Sequence, residues 1–332
     1  MKNKSILVTG AAGHIGSNLC NWLIENQPDY KIIALDDLSG GFKEWVSAHE
    51  FYERDCGRDL TDIFERNDIR IVFHAAAEAA ESVANFNRKF YYTSNVVNSA
   101  NIINFCIKYP IDRLVYFSSM AVYGHNKAPF TEDQIPMPQD CYGIGKYAIE
   151  LDLKSAKIQH GLKYTIVRPH SVYGPNQNLF DAYRNVLAIW MRQVLNNEPI
   201  SIYGNGSQKR AFTFIDDILE PLWKCAVDNS TIWQTFNIGN DNEISILEAS
   251  KVFLEIVGKY CEIKYWPQPH EVNNAYSDHS KVRNVLELEC KTSLKEGLTK
   301  MWEWAKNEPK RELQTFDEFE LEVGLQPQFK RK

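Results

Sequence analysis

The chain has 332 residues, 44% of them hydrophobic, seven cysteines and a formal net charge of −6. That length holds one large or two modest domains with a full core. Spread-out acidic charge speaks against a basic nucleic-acid face, no apolar run reaches the length of a membrane span, and scattered cysteines without a CxxC pair speak against structural zinc.

A strand-like run starts within residues 1–9, which leaves no room for a signal peptide. Together with the cysteine usage this makes the reducing cytoplasm the expected location. In chain order, short apolar runs at 5–9, 31–36, 70–74, 113–118 and 164–168 alternate with helix-length stretches at 15–25, 59–66, 92–108 and 142–160. Strands alternating with helices predict an α/β fold, a Rossmann-like doubly wound parallel sheet. After Arg168 the character changes. "RPHSVYGPNQN" is rich in turn formers and precedes a helix pattern over 181–197, short strands at 200–203 and 211–215, and helices over 216–227, 245–259 and 294–306. "YWPQPHEVNNAYSD" reads as loop. The expected organisation is a dinucleotide-binding domain over 1–170, a smaller interleaved lobe mainly over 171–308 with about 212–240 returning to the first, and a charged tail over 309–332 that packs loosely.

"ILVTGAAGHIGSNL" reads as strand, glycine turn, helix. Gly10, Gly13 and Gly16 let backbone N–H groups approach a pyrophosphate at the helix N-terminus. The spacing is GxxGxxG rather than GxGxxG. Asp36 ends the next strand, 20 residues after Gly16. A carboxylate there accepts from both ribose hydroxyls and repels a 2′-phosphate, which favours NAD over NADP; the plainer reading of Asp36 is a strand-end cap. Asp55 ends the third strand-like run and reads either as an acceptor for the adenine amine or as a surface-turn residue.

"VYFSSMAVYG" ends another strand and presents Ser118 and Ser119 at its carboxyl edge, where ligands sit in open α/β sheets. "YGIGK" follows, with Tyr142 and Lys146 on one helix face. A neighbouring cation lowers a phenol's pKa, so Lys146 would make Tyr142 a proton acceptor usable near neutral pH, with Ser119 orienting the same substrate hydroxyl. Two glycines weaken this helix by about 1 kcal/mol each, and closeness to cofactor or substrate would explain them.

These motifs resemble the extended short-chain dehydrogenase/reductases, in particular nucleotide-sugar epimerases and dehydratases of the UDP-galactose 4-epimerase type. The resemblance runs from about Ser5 to Trp304 and is carried by "TGAAGHIG", "ALDDLSGG", "HAAA", Asn95, "FSSMAVYG", "YGIGK", "RPHSVYGPNQN", "YGNGSQKRAFTFIDD" and "HEVNNAYSDHSK". It implies a catalytic triad of Ser119, Tyr142 and Lys146. It implies an NAD site from Gly10, Gly13, His14, Ile15, Gly16, Asp36, Asp37, Asp55, Cys56, Ala75, Ala76, Ala77, Asn95 and Pro169, shared with Tyr142 and Lys146. For the nucleotide-sugar substrate it implies Ser171, Asn185, Tyr203, Arg210 and a loop around Gln268–Glu271 that includes His270. Arg210 also makes sense from its chemistry, because a guanidinium fork matches diphosphate oxygens, although a turn arginine at the surface would look the same.

The dehydratases of this family carry an Asp–Glu pair after the serine; here stand Met120 and Ala121, which do no acid–base work. The leading expectation is therefore an NAD-dependent 4-epimerase acting through a transient 4-keto sugar. A nucleotide-sugar oxidoreductase, 4-keto reductase or decarboxylase stays open, as does a non-catalytic NAD sensor. His170 and Ser171 depart from the family pattern, the loop after "HAAA" is about two residues short and lacks a basic residue, and His270 either replaces a missing arginine or is a loop histidine. Ala275, three residues before Asp278, occupies a position that gates the sugar pocket in the family. A small residue there would admit an N-acetyl group, unless Ala275 merely packs. The resemblance further implies a homodimer through helices 92–108 and 142–160. No metal ligand set is visible.

Overall fold

The computed structural model describes residues 4–267, 274–316 and 318–325. At its centre lies a seven-stranded sheet in the order Thr235–Ile238, Tyr164–Pro169, Arg113–Phe117, Ile69–His74, Ser5–Thr9, Lys31–Asp36, Glu50–Glu53. Every neighbouring pair is parallel. A parallel sheet is covered on both faces, which is why its strands read as unbroken apolar runs. Alternate residues feed two cores. Ile6 and Val8 pack with Leu19, Leu23 and Ile218 on one side, while Leu7 packs with Ile102, Ile149 and Leu153 on the other. The expected doubly wound α/β fold is therefore present.

Two of the predicted helices are shorter or interrupted. The 92–108 pattern resolves into helix Arg88–Tyr92, a π-helical turn at Thr93–Val97 and helix Asn98–Lys108. Ser99 Oγ donates to the Asn95 carbonyl within that turn, a side-chain competitor for the helical ladder. The 181–197 pattern yields only Val186–Leu195, because Asp181 and Asn185 turn their side chains onto the Tyr183 and Leu187 amides and delay the start.

After the sixth sheet strand the chain builds small sheets beyond the strands' carboxyl ends. Ile200–Tyr203 pairs with Ile263–Trp266, and Lys209–Ala211 lies between Glu243–Ser245 and Asn274–Ala275. Helices Ile246–Val257 and Leu294–Ala305 pack on each other, and each starts with a Ser–Glu capping box.

The described part of the tail, residues 309–316 and 318–325, is anchored rather than loose. Gln314 exchanges main-chain hydrogen bonds with Phe180 and Ala182, and Phe316 stacks on Tyr183 at 5.4 Å. Glu320 accepts the Lys89 and Phe90 amides at 2.8 Å, capping the start of the Arg88–Tyr92 helix. Charge takes part in the anchoring: Arg311 pairs with Glu44 over the Phe42 ring, and Glu308, just ahead of the tail, accepts from the Trp45 indole.

Candidate active site

Each sheet strand ends at a common edge, and a cleft of about 940 Å³ runs along it into the smaller sheets. One end is the glycine turn. Gly10 has φ +68°, and a Cβ there would stand 2.5 Å from the Ala76 nitrogen, so the turn and the Ala75–Ala77 segment meet backbone to backbone. A Cβ on Gly16 would lie 2.0 Å from the Gly10 carbonyl oxygen. Only glycines let the following helix start this close. No side chain caps that helix, so its first-turn amides face the cleft with no side-chain acceptor of their own. This cradle fits a pyrophosphate. Asp36 is held in place by the Ala12 and Leu38 amides at 2.9 and 2.7 Å. Burial raises its carboxyl pKa, and the two amides oppose that.

Gly13, His14, Ile15, Asp37, Asp55, Cys56, Ala75, Ala76, Ala77 and Pro169 line the same end. Asp55 also accepts from the Gly57 amide and the Asn98 side chain, so it shapes its turn while it faces the cleft. Asn95 is buried between Ser94 and Asn98, which line the cleft, and its amide exchanges two hydrogen bonds with the Glu78 main chain, at 2.8 and 2.9 Å, so it braces the loop there.

Ser119, Tyr142 and Lys146 meet at the middle. All three line the cleft, and Ser119 Oγ accepts from the Ala121 amide at 3.1 Å. Lys146 donates to the Phe117 carbonyl at 2.7 Å. The electrostatics differ from the sequence expectation. Burial pushes the Tyr142 phenol up to about 12, against the lowering effect of Ser119, and brings the Lys146 amine down to about 7. Desolvation is the largest cause for both groups, since burial disfavours the charged form of each.

The helix carrying the pair, Cys141–His160, starts at Asp140, which accepts from the Gly143 amide at 2.8 Å. Gly143 of "YGIGK" is required by the protein's own packing. A Cβ on Gly143 would come within 2.6 Å of the Ala121 carbonyl oxygen, so this glycine seats Tyr142 against the serine turn. Underneath, a buried chain of polar groups fixes the turn. Ser118 donates to Glu150, Arg168 grips Glu150 through two bonds at 2.8 and 2.5 Å, and Arg168 also donates to the Tyr123 hydroxyl. Removing either charge would strand the other, at about 3–5 kcal/mol.

Ser171, Asn185, Tyr203, Arg210 and Ala275 line the far end. Asn185 Oδ1 caps the Val186–Leu195 helix and Nδ2 donates to the Val172 carbonyl. Ala275 is buried against Val122, Tyr123 and Phe130. His270 and the Gln268–Glu271 loop lie outside the described residues. Five charged residues of the wall escaped the sequence reading: Arg54, Glu78, Glu81, Asp140 and Arg184. Only Asp140 carried a readable signal, an aspartate directly before a helix pattern.

The model of the NAD dependent epimerase/dehydratase family matches residues 6–239. The chain is 33% identical to a putative UDP-glucose 4-epimerase of Methanocaldococcus jannaschii, covering 91% of this chain and 98% of that one. Its fold superposes on the UDP-glucose 4-epimerase of Thermotoga maritima, solved with UDP-glucose, at TM-score 0.84 and 32% identity over 90% of this chain and 98% of that one. It superposes on the UDP-glucuronic acid 4-epimerase of Bacillus cereus, solved with UDP-glucuronic acid and NAD, at TM-score 0.83 and 27% identity over 91% and 99% of the two chains. Fold, cleft and sequence agree, and the chain belongs to the NAD dependent epimerase/dehydratase family.

Proposed function

We propose that the protein is an NAD-dependent 4-epimerase of UDP-sugars, working through a transient 4-keto sugar. The observation that carries this reading is that Ser119, Tyr142 and Lys146 line one cleft together with the glycine cradle and with Tyr203 and Arg210. The cradle of Gly10, Gly13 and Gly16 would hold the NAD pyrophosphate, and Asp36 the adenosine ribose. When bound, NAD would supply the hydride acceptor and donor for the sugar's C4. Tyr142 accepts the proton of the 4-hydroxyl, Ser119 orients that hydroxyl, and the neighbouring Lys146 lowers the energy of the phenolate. After the keto sugar turns over, Tyr142 gives the proton back on the other face. Met120 and Ala121 beside Ser119 hold no exchangeable proton, so water elimination has no acid or base of its own there. Arg210, Tyr203, Asn185 and Ser171 would receive the nucleotide diphosphate in a lobe formed mainly by residues 171–308. Ala275 leaves room for an N-acetyl group. The similarity to named UDP-glucose 4-epimerases supports uridine as the base.

The working form in this reading is a cytoplasmic homodimer. Ile144, Leu151 and Ile158 repeat at seven-residue spacing on the catalytic helix and are exposed, beside exposed Val97 on the neighbouring helix.

The test starts with the purified protein as it stands. Its bound dinucleotide should be NAD rather than NADP. NMR of UDP-glucose and UDP-N-acetylglucosamine incubations should reveal the C4 epimer without added NAD and without accumulated NADH. Stoichiometric NADH, or a pentose product, would replace the epimerase with an oxidoreductase or a decarboxylase.

A further inference from the structure

The loop that follows Asp36 is one wall of the cofactor end, with Asp37, Ser39, Gly40 and Gly41 lining the cleft. At Gly41 it meets the glycine turn so closely that a Cβ would stand 1.9 Å from the Ala12 carbonyl oxygen. Segments remote in sequence fasten this loop. Buried Asn178 donates to the Gly40 carbonyl at 3.2 Å and to the Gln314 side chain at 2.6 Å. Gln314 is itself fixed by main-chain hydrogen bonds to Phe180 and Ala182. Where the loop ends, Arg311 lies over the Phe42 ring at 3.7 Å and pairs with Glu44, and the Trp45 indole donates to Glu308 at 3.2 Å. Further on, Glu320 accepts the Lys89 and Phe90 amides, and the Leu321 amide donates to the Phe86 carbonyl. Phe86 and Phe90 line the same cleft. The tail therefore runs from the cofactor loop, past Asn178, to a second stretch of the cleft wall. The motif resemblance runs out near Trp304, ahead of all these contacts.

We propose that the tail is a strap that locks the loop after Asp36 against the bound dinucleotide, with Arg311 and Gln314 as positioning residues, so that the cofactor leaves only when the tail detaches. The inference rests on the NAD-dependent 4-epimerase reading and adds how this chain keeps its cofactor. A reaction that sends a hydride out and back cannot lose the reduced cofactor midway, because the keto sugar would be left unreduced. A solvent-facing ion pair and a cation over a ring are each weak. The strap works because the loop swings out only when these contacts and the Asn178 junction open together.

The experiment loads the protein with radiolabelled NAD, chases with excess unlabelled NAD and follows the label that stays on the protein. The full chain should release label at least about tenfold more slowly than a chain ending at Pro309. In the full chain, Arg311→Ala should speed release several-fold and Arg311→Lys less, because lysine keeps a cation for Glu44 and Phe42. The urea-unfolding midpoint should stay the same in both variants, which separates the strap from a general loss of stability. The point variants also decide the matter if the shortened chain does not fold. Equal release rates from the full chain and Arg311→Ala, or from the full chain and a folded shortened chain, overturn the strap and leave the epimerase reading intact. A protein that retains no NAD overturns both.

Discussion

The Lys146 side-chain nitrogen lies 5.8 Å from the centre of the Tyr142 ring and donates to the Phe117 carbonyl instead of to the phenol. The lysine therefore meets Tyr142 only through space, and burial brings its own amine down to about 7. A phenol at about 12 cannot take a proton readily at neutral pH in the free protein. The reaction then depends on charges that arrive with the ligands. Tyr142→Phe should lower kcat by about a thousandfold while calorimetric NAD affinity changes little. Lys146→Met should reduce both. Turnover of Tyr142→Phe within tenfold of the parent would remove Tyr142 from the proton path.

The two glycines of the catalytic helix should behave oppositely. At Gly143 an added methyl meets the Ala121 carbonyl oxygen at 2.6 Å, and backbone cannot yield cheaply. Gly143→Ala should cost about 1–3 kcal/mol in urea unfolding and shift Tyr142 away from Ser119, lowering kcat. At Gly145 the nearest atom is Val96 Cγ2 at 3.4 Å, ordinary contact distance. Gly145→Ala should be neutral or stabilising by up to about 1 kcal/mol, because alanine suits a helix interior. The reverse ranking would mean that the helix does not sit on the serine turn as described.

Much of this was legible in the sequence, for identifiable reasons. Sheet strands buried on both faces show as continuous apolar runs, and the 31–36 and 5–9 runs match the strands Lys31–Asp36 and Ser5–Thr9 residue for residue. Strand Thr235–Ile238 lacked that signature, because Asn237 turns inward to Tyr123 and Phe130 within a four-residue strand. The direction in which Asn95 points was not readable either. A polar residue in a helical pattern carries no sign of which loop it will brace. Glu78, Glu81 and Arg184 lie in irregular segments, where charge has no periodicity to betray a shared site. The tail hid its aromatic anchors, Phe316 and Phe319, among acids and bases.

That tail gives the next expectation. Phe316 and Phe319 pack on Tyr183 and on the segment around Phe86, which together wall the sugar end of the cleft. A chain ending at Pro309 keeps both sheet cores and the glycine cradle. It should fold and bind NAD, while KM for the sugar rises at least fivefold and kcat falls less. Phe316→Ala in the full chain should move KM the same way by a smaller factor. An unchanged KM in both would make the tail a surface feature without a part in the site.

The exposed seam on the catalytic helix makes the dimer testable. Ile144, Leu151 and Ile158 are 40%, 47% and 77% exposed, a single apolar stripe at heptad spacing. A second copy of the same surface would cover it and complete a four-helix contact. Light scattering at micromolar concentration should give twice the chain mass. Leu151→Glu combined with Ile158→Glu should give a monomer whose far-UV circular dichroism is unchanged. A dimer that survives both charges would have to use another face.

Acid sensitivity follows from three histidines. Burial lowers the imidazole pKa to about 4 in His14 and about 3 in His74 and His170. His74 is the best fixed, its ring nitrogens between Thr9 Oγ1 at 2.6 Å and Ser99 Oγ at 2.9 Å. The unfolded chain protonates such groups near 6.5, whereas the fold keeps them neutral until far lower pH. Between those values the unfolded state binds more protons, so stability is full above pH 6.5 and is lost as the pH falls, at up to about 1.4 kcal/mol per unit per histidine. Urea unfolding at pH 7.5 and pH 5.0 should expose this loss. His74→Gln starts from a less stable protein at pH 7.5, because it gives up the imidazole's packing. Its further loss on going to pH 5.0 should nonetheless be smaller than the parent's by about 2 kcal/mol, since one proton acceptor of the unfolded chain is gone. An equal loss in parent and variant would mean that His74 already carries its proton in the fold, and that Thr9 Oγ1 accepts from Nδ1 instead of donating to it.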